Sequence, residues 1–178
     1  MSNVHHTRMA SSCIRPLAAG FVLAAGFVLA PQAVLAATVT DTMAVTATVQ
    51  SACIVTASPL AFGTYNPVAG TNLDATATLN VTCTQGTAYN VGLSAGGGTG
   101  ATTTVRKLTS SGHTLNYALY SDSGRTTNWG NTISTDTVPG TAGTTATAYT
   151  VYGRIPSNQN TTAGAYTDSV TVTVTVTY

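Results

Sequence analysis

The sequence predicts an all-β fold, and three observations carry that expectation. Beyond residue 37 threonine, valine, alanine and glycine dominate, a composition suited to strands through its β-branched residues. Apolar residues recur at every second position rather than every third or fourth, the period of a strand with one face buried. Helix start and stop signals are nearly absent. The carboxyl-terminal stretch SVTVTVTVTY, residues 169–178, is the purest case: valines at 170, 172, 174 and 176 share a face with Tyr178, and threonines fill the other face.

The elements follow in chain order. Residues 43–55, MAVTATVQSACIV, place Met43, Val45, Ala47, Val49 and Cys53 on one parity. Asn66-Pro67 then closes LAFGTYNP with a turn signal. Residues 75–83 set Leu79, Val81 and Cys83 on one face, and residues 88–95 repeat the alternation with Tyr89, Val91 and Leu93. With Gln85-Gly86 between them, the two segments are expected to form a hairpin. A flexible GGGTGATTT connection leads to a short VRKL strand, a turn at Ser111-Gly112, and a strand reaching Tyr120. A turn at Asp122-Ser-Gly124 precedes Trp129, the only tryptophan, and residues 130–145 are expected to be a long surface loop. Residues 146–156 form a strand ended by Pro156, and the last strand runs over residues 165–178. Six or seven strands at this spacing suit a sandwich of immunoglobulin type, with a closed barrel as the other architecture.

Residues 1–36 are expected to be a signal peptide that is removed. Arg8 and Arg15 precede the uncharged run LAAGFVLAAGFVLA, Pro31 ends it, and Val34-Leu35-Ala36 offers small residues for cleavage. The run is too short to span a bilayer, so no mature transmembrane segment is expected. Cleavage after Ala36 or Ala37 leaves one domain and removes Cys13, which precedes the apolar run and is badly placed for lipid attachment. The remaining charges are Arg106, Lys107, Arg125 and Arg154 against Asp41, Asp74, Asp122, Asp136 and Asp168, with no glutamate. That balance cannot supply the phosphate contacts of a nucleic-acid binder or the basic patch of an anionic-membrane binder. Cys53 and Cys83 are the two cysteines left. In an exported chain they are expected to pair, closing a loop worth on the order of 3–4 kcal/mol.

Catalytic and metal-binding patterns are scarce. His113 is the one histidine past the leader and lies in a Ser-Ser-Gly-His-Thr turn. One histidine and two bonded cysteines make no zinc site. No Gly-x-Ser-x-Gly elbow accompanies His113, and five scattered aspartates offer little for a glycosidase pair. Asp122 and Asp136 read as turn residues rather than calcium ligands. Asn80-Val-Thr82 and Asn160-Thr-Thr162 are short chance matches to a glycan acceptor, and GGGTG lacks the lysine and helix of a phosphate cradle. No catalytic residue, cofactor or metal is expected.

A series of matches in order gives the chain a family resemblance: SACIV, LAFGTYNP, NVTCTQG, LNYALYSD, the Trp129-Gly130 pair, and YGRIPSNQNTTAGAYTDSVTVTVTVTY. Together they resemble the spore coat protein U domain family, the subunit family of archaic, Csu-type chaperone-usher pili, over nearly all of residues 43–178. The resemblance implies an incomplete immunoglobulin-like β-sandwich that lacks its last strand and is completed by a donor strand from another subunit. It implies a periplasmic chaperone, an outer-membrane usher and other copies of the chain as partners, with strand addition as the binding mode and a head-to-tail fibre as the product. On that pattern residues 37–49 would be the donor extension, overlapping the first strand of the 43–178 domain, with Val39, Met43, Val45, Ala47 and Val49 as its apolar face. Asp41 departs from the pattern by sharing their parity. Val170, Val172, Val174, Val176 and Tyr178 would form the acceptor groove and meet the chaperone. The implied destination is the cell surface by way of the periplasm, and the implied role is adhesion and biofilm formation. Two other roles fit the same residues: a coat protein of a resistant cell form, and a sugar- or surface-binding module at a fibre tip using Trp129, Tyr120 and the 130–145 loop.

Overall fold

The computed structural model describes residues 37–177. The expected signal peptide and Tyr178 lie outside the described residues. The chain divides into a unit up to Val45 and a unit from Thr46 onward. In the first, residues 37–45 take no regular structure and are exposed.

The second unit holds eight strands and, among the described residues, no helix: β1 Cys53–Ala57, β2 Leu73–Cys83, β3 Ala88–Leu93, β4 Arg106–Ser110, β5 His113–Tyr120, β6 Val138–Thr141, β7 Thr147–Ile155 and β8 Val172–Thr177. They form two sheets, β1-β2-β7-β5-β4 and β6-β3-β8, rather than a closed barrel. Alternation dictates the layering: Ala77, Leu79 and Val81 of β2, Leu115, Tyr117 and Leu119 of β5, and Val151 and Ile155 of β7 meet Tyr89, Val91 and Leu93 of β3 in one core. The outward positions of β2 carry Asp74, Thr76, Thr78, Asn80 and Thr82, all exposed.

Several expectations change. The 75–83 and 88–95 segments are strands but not a hairpin. Both edges of β2 are already taken, by β1 and β7, so the chain crosses to the other sheet and β3 pairs with β6 and β8. The residues expected as a long loop, 130–145, contain β6, which lies on β3 with Gly140 opposite Tyr89. Only glycine fits there, since a Cβ at 140 would strike the Tyr89 ring and the Tyr149 hydroxyl. The alternation from Met43 to Val49 is not paired in a sheet, and the first strand begins at Cys53. The turn at Ser111-Gly112 is present, with φ of 46° and 84°, the two positive values of a type I′ hairpin turn joining β4 to β5.

The last strand is shorter than its sequence pattern. Thr167 pairs with Thr109 of β4 on one sheet, through Thr109 N–H to Thr167 O (2.8 Å) and Thr167 N–H to Thr109 O (3.1 Å). Five residues later β8 pairs with β3 on the other. The crossing is at Asp168, whose Oδ2 accepts from the Tyr117 hydroxyl (2.7 Å) and whose Oδ1 accepts from the Gly97 and Ser169 amides (2.7 and 2.8 Å). A period-two pattern can run unbroken through such a crossing, because the alternation of faces does not register which sheet the strand joins.

Candidate functional site

Two sheets have four edge strands, and an uncovered edge is an invitation to another chain. β4 is bridged by Thr167 at its outer side. β6 is four residues long and contains Pro139, which removes a donor. β1 is tied to β2 by the Cys53–Cys83 disulfide between directly opposed residues, as the cysteine count predicts. β8 has six residues, VTVTVT, without charge or proline, and like β1 is bonded on one side only, to β3.

The hydrogen bonds fix which groups of that segment are free. Ser94 N–H donates to Thr171 O (3.0 Å) and Thr171 N–H donates to Ser94 Oγ (2.8 Å), so Thr171 faces β3. By the alternation of an antiparallel ladder Thr173, Thr175 and Thr177 also face β3, and the amides and carbonyls of Val172, Val174 and Val176 point to the open edge. The valine side chains lean inward: Val170, Val172 and Val174 pack against the core and Val176 is half-buried.

Beside this edge the core is open. A cleft of about 390 Å³ lies between the end of β1 with its following strap and the start of β8. Its walls include Leu60 and Phe62 of the strap, Leu79, Leu93, Leu119 and Val151 of the sheets, and Val170 and Val172. The strap crosses β7 where Gly153 leaves room, since a Cβ there would meet Phe62 Cζ at 2.8 Å and Leu60 Cδ2 at 2.9 Å. Phe62 stacks edge-on against Tyr117, ring centroids 6.0 Å apart. The LAFGTYNP match thus builds one wall of the cleft. Asp168 is the one charged lining residue, and its oxygens are already engaged.

A buried polar cluster that the sequence did not signal holds the cleft's end. Arg106, with 0% exposure, donates to four backbone carbonyls: Ser94 (2.8 Å), Thr103 (2.6 Å), Leu93 (2.9 Å) and Trp129 (2.7 Å). Burial lowers its pKa from the ordinary arginine value, while the absence of any competing carboxylate bond leaves the whole fork to the backbone. Its β5 neighbour Tyr117 is pushed above the usual tyrosine range, first by burial and then by its bond to Asp168. Arg106 pins the end of β3 and Tyr117 pins the crossing at Asp168, so the cluster sets where β8 begins. Gly96, at φ 82°, allows the approach, since a Cβ there would collide with the Asp168 carboxylate.

Trp129, which only the alternative binding-module reading set against a surface or sugar, is a core residue. It is 1% exposed, donates its Nε1–H to Val91 O (2.9 Å) and packs edge-on against Tyr149. Buried indole finds a hydrogen-bond partner in this way, and the one-tryptophan count could not say which side it faced. Asp122 is the turn residue expected, accepting from the Thr126 and Thr127 amides, with its pKa lowered chiefly by the Thr127 bond. Asp136 likewise accepts from the Thr132 amide. His113 is exposed at the β4–β5 turn. Among the described residues no cluster of three metal-ligating side chains occurs.

The remaining predicted residues lie in the amino-terminal segment. Val39, Met43, Val45 and Val49 are 92%, 85%, 80% and 81% exposed, and Ala47 is exposed as well. Large apolar side chains in a row at that exposure are unusual on a soluble protein.

Three comparisons bear on this architecture. The spore coat protein U domain model matches residues 39–173. "Protein U" of Myxococcus xanthus is 34% identical over 153 residues, covering 78% of this chain and 85% of that protein. Among solved structures, the fold is similar to a chain in the CsuC–CsuE chaperone-tip adhesion subunit pre-assembly complex from the archaic chaperone-usher Csu pili of Acinetobacter baumannii. The TM-score is 0.52 at 23% identity, over 72% of this chain and 40% of that one. The match of the family model along most of the chain, with the identity to Protein U, places this two-sheet protein in the spore coat protein U domain family.

Proposed function

We propose that the chain is a non-catalytic structural subunit of a secreted surface fibre, assembled by donor-strand complementation. The carrying observation is the pairing of two incomplete features: an uncharged β8 edge beside an apolar cleft, and an alternating apolar segment left exposed. The extension 37–49, which carries Val39, Met43, Val45, Ala47 and Val49 on its apolar face, supplies the strand that enters the groove of another copy along Val170, Val172, Val174 and Val176. There it bonds to the free amides and carbonyls of β8. Burying the donor side chains contributes on the order of 5–8 kcal/mol as an upper figure, comparable with the whole stability of a small domain.

On this reading the leader directs export, a periplasmic chaperone covers the groove first, with Tyr178 among its contacts, and an outer-membrane usher exchanges it for the next copy. The product is an open head-to-tail fibre on the cell surface, serving adhesion and biofilm formation. The resemblance of the fold to a Csu complex chain supports this reading. Removing residues up to 44 from the leaderless protein tests it. The expected result is loss of polymer and a marginal, aggregation-prone monomer, and a cooperative, stable monomer would contradict it. The family's spore-coat description favours a second reading, a coat of a resistant cell form. Electron microscopy of cells with and without the protein separates thin fibres from a coat layer.

A further inference from the structure

A donor strand with a repeating apolar parity has a register problem. A slip of one residue turns the apolar face outward and is excluded by burial. A slip of two residues keeps the face and must be prevented by something else. In the Val39–Val49 segment the same-parity residues are Val39, Asp41, Met43, Val45, Ala47, Val49 and then Ser51, and a separate device stands at each end.

At the carboxyl end Thr84 holds the base of the segment. Its Oγ1 donates to Gln50 O (3.2 Å) and accepts from Ala52 N–H (3.1 Å), and its own N–H donates to Ala52 O (2.9 Å). Cys53 follows in the disulfide. Residues 50–52 are therefore committed to their own subunit and cannot enter a neighbour's groove. At the amino end Asp41 would enter with the apolar residues if the donor slid by two. In a parallel donor that slip sets it beside Val170, where the cleft lining contains no lysine or arginine and its one charged residue, Asp168, is of like sign with its oxygens already engaged. In an antiparallel donor it sits beside Val176, at the far end of β8, which like β1 carries no charged residue. A carboxylate placed there would lose its water without a partner.

Resting on the donor-strand reading above, we propose that Asp41 and the Thr84 clamp together fix the register of assembly. Met43, Val45, Ala47 and Val49 of one copy then lie over Val170, Val172, Val174 and Val176 of the next, four against four, with Asp41 just outside the valine row. Alignment of these two rows has a property useful for testing. Thr46, the midpoint of the donor row, falls opposite Thr173, the midpoint of the acceptor row, whether the strands run parallel or antiparallel. Both are on the exposed face, and directly opposed strand residues stand close enough for a disulfide.

Thr46→Cys is combined in one chain with Thr171→Cys, Thr173→Cys or Thr175→Cys in turn, fibres are assembled and oxidised, and the covalent ladder is read on a non-reducing gel. The expected ladder with position 173 exceeds those with 171 and 175 by more than about tenfold, the discrimination expected from burying an unpaired carboxylate. Adding Asp41→Val makes the two-residue slip exchange one valine for another. The ladder with 171 (antiparallel) or 175 (parallel) should then rise to within about twofold of that with 173. Equal ladders at all three positions with Asp41 in place, or a tenfold preference that survives Asp41→Val, overturns the register device. A ladder confined to 171 or 175 overturns it while leaving the donor reading standing. Fibres that form without a ladder at any position overturn both.

Discussion

Replacing Arg106 by methionine tests the account of the cleft's end. The substitution keeps the aliphatic stem and removes four charge-assisted bonds to the carbonyls of Ser94, Thr103, Leu93 and Trp129. Such bonds contribute about 1.5–3 kcal/mol each, so their sum is on the order of 6–12 kcal/mol. Against this stands relief from burying a guanidinium without a carboxylate partner, several kcal/mol. The expected net loss is about 3–5 kcal/mol, since the carbonyls of Leu93 and Trp129 stay in a dry interior without a donor. Arg106→Lys should fall between, because one ammonium cannot reach all four oxygens. The assay is urea unfolding of a form whose groove is filled by residues 39–49 appended behind Tyr178 through a flexible linker, followed by Trp129 fluorescence. Trp129 is suited to report, as its own carbonyl is one of the four acceptors. A loss below about 1 kcal/mol for Arg106→Met would refute the reasoning, because it would mean that the freed carbonyls find water or other donors at no cost.

Two further outcomes can be measured on the same form. Removing the Cys53–Cys83 disulfide, 30 residues apart, by replacing both cysteines with alanine should cost about 3–4 kcal/mol in urea unfolding. Asp74 takes a two-bond contact from Arg154 (2.8 and 2.9 Å) and a second arginine, Arg125, at 3.3 Å, and the Arg154 bond chiefly lowers its pKa below the usual carboxylate value. A folded pKa below the unfolded one means stability that is present above the unfolded value near 3.8 and lost as pH falls through the folded one. The site is exposed, so Asp74→Asn should cost only about 0.5–1 kcal/mol at neutral pH, with the difference from the parent vanishing in acid.

Local rules read most of the strands and few of their neighbours. β2, β3, β5 and β7 stand within two residues of where alternation puts them, because each has one buried face and the period reports it directly. The partner of β3 was not legible, since a tight turn at Gln85-Gly86 suits a hairpin and a sheet-to-sheet crossing equally, and only the occupied edges of β2 decide. β6 was hidden because one of its two inward positions is a glycine, Gly140, whose space belongs to the Tyr89 ring and the Tyr149 hydroxyl. The crossing at Asp168 had one signal, the charged residue that precedes the Val-Thr run on the parity of its valines. Arg106 and Lys107 are adjacent in the VRKL strand, and adjacent strand residues face opposite ways, which is the one sequence feature that sets them apart. The apolar parity from Met43 to Val49 and the valine row from Val170 to Val176 were visible as sequence. The Thr84 bond to Gln50 was not, as it joins residues 34 apart in the chain.

The central claim is that β8 lacks a neighbour until another copy supplies one, and residue-resolved hydrogen exchange measures it most directly. In freshly refolded monomer the amides of Thr173 and Thr175, bonded to β3, should be protected, while those of Val172, Val174 and Val176 should exchange rapidly. In the assembled fibre the three valine amides should become as protected as their threonine neighbours. Valine amides already protected in the monomer, or still rapid in the fibre, would contradict the account.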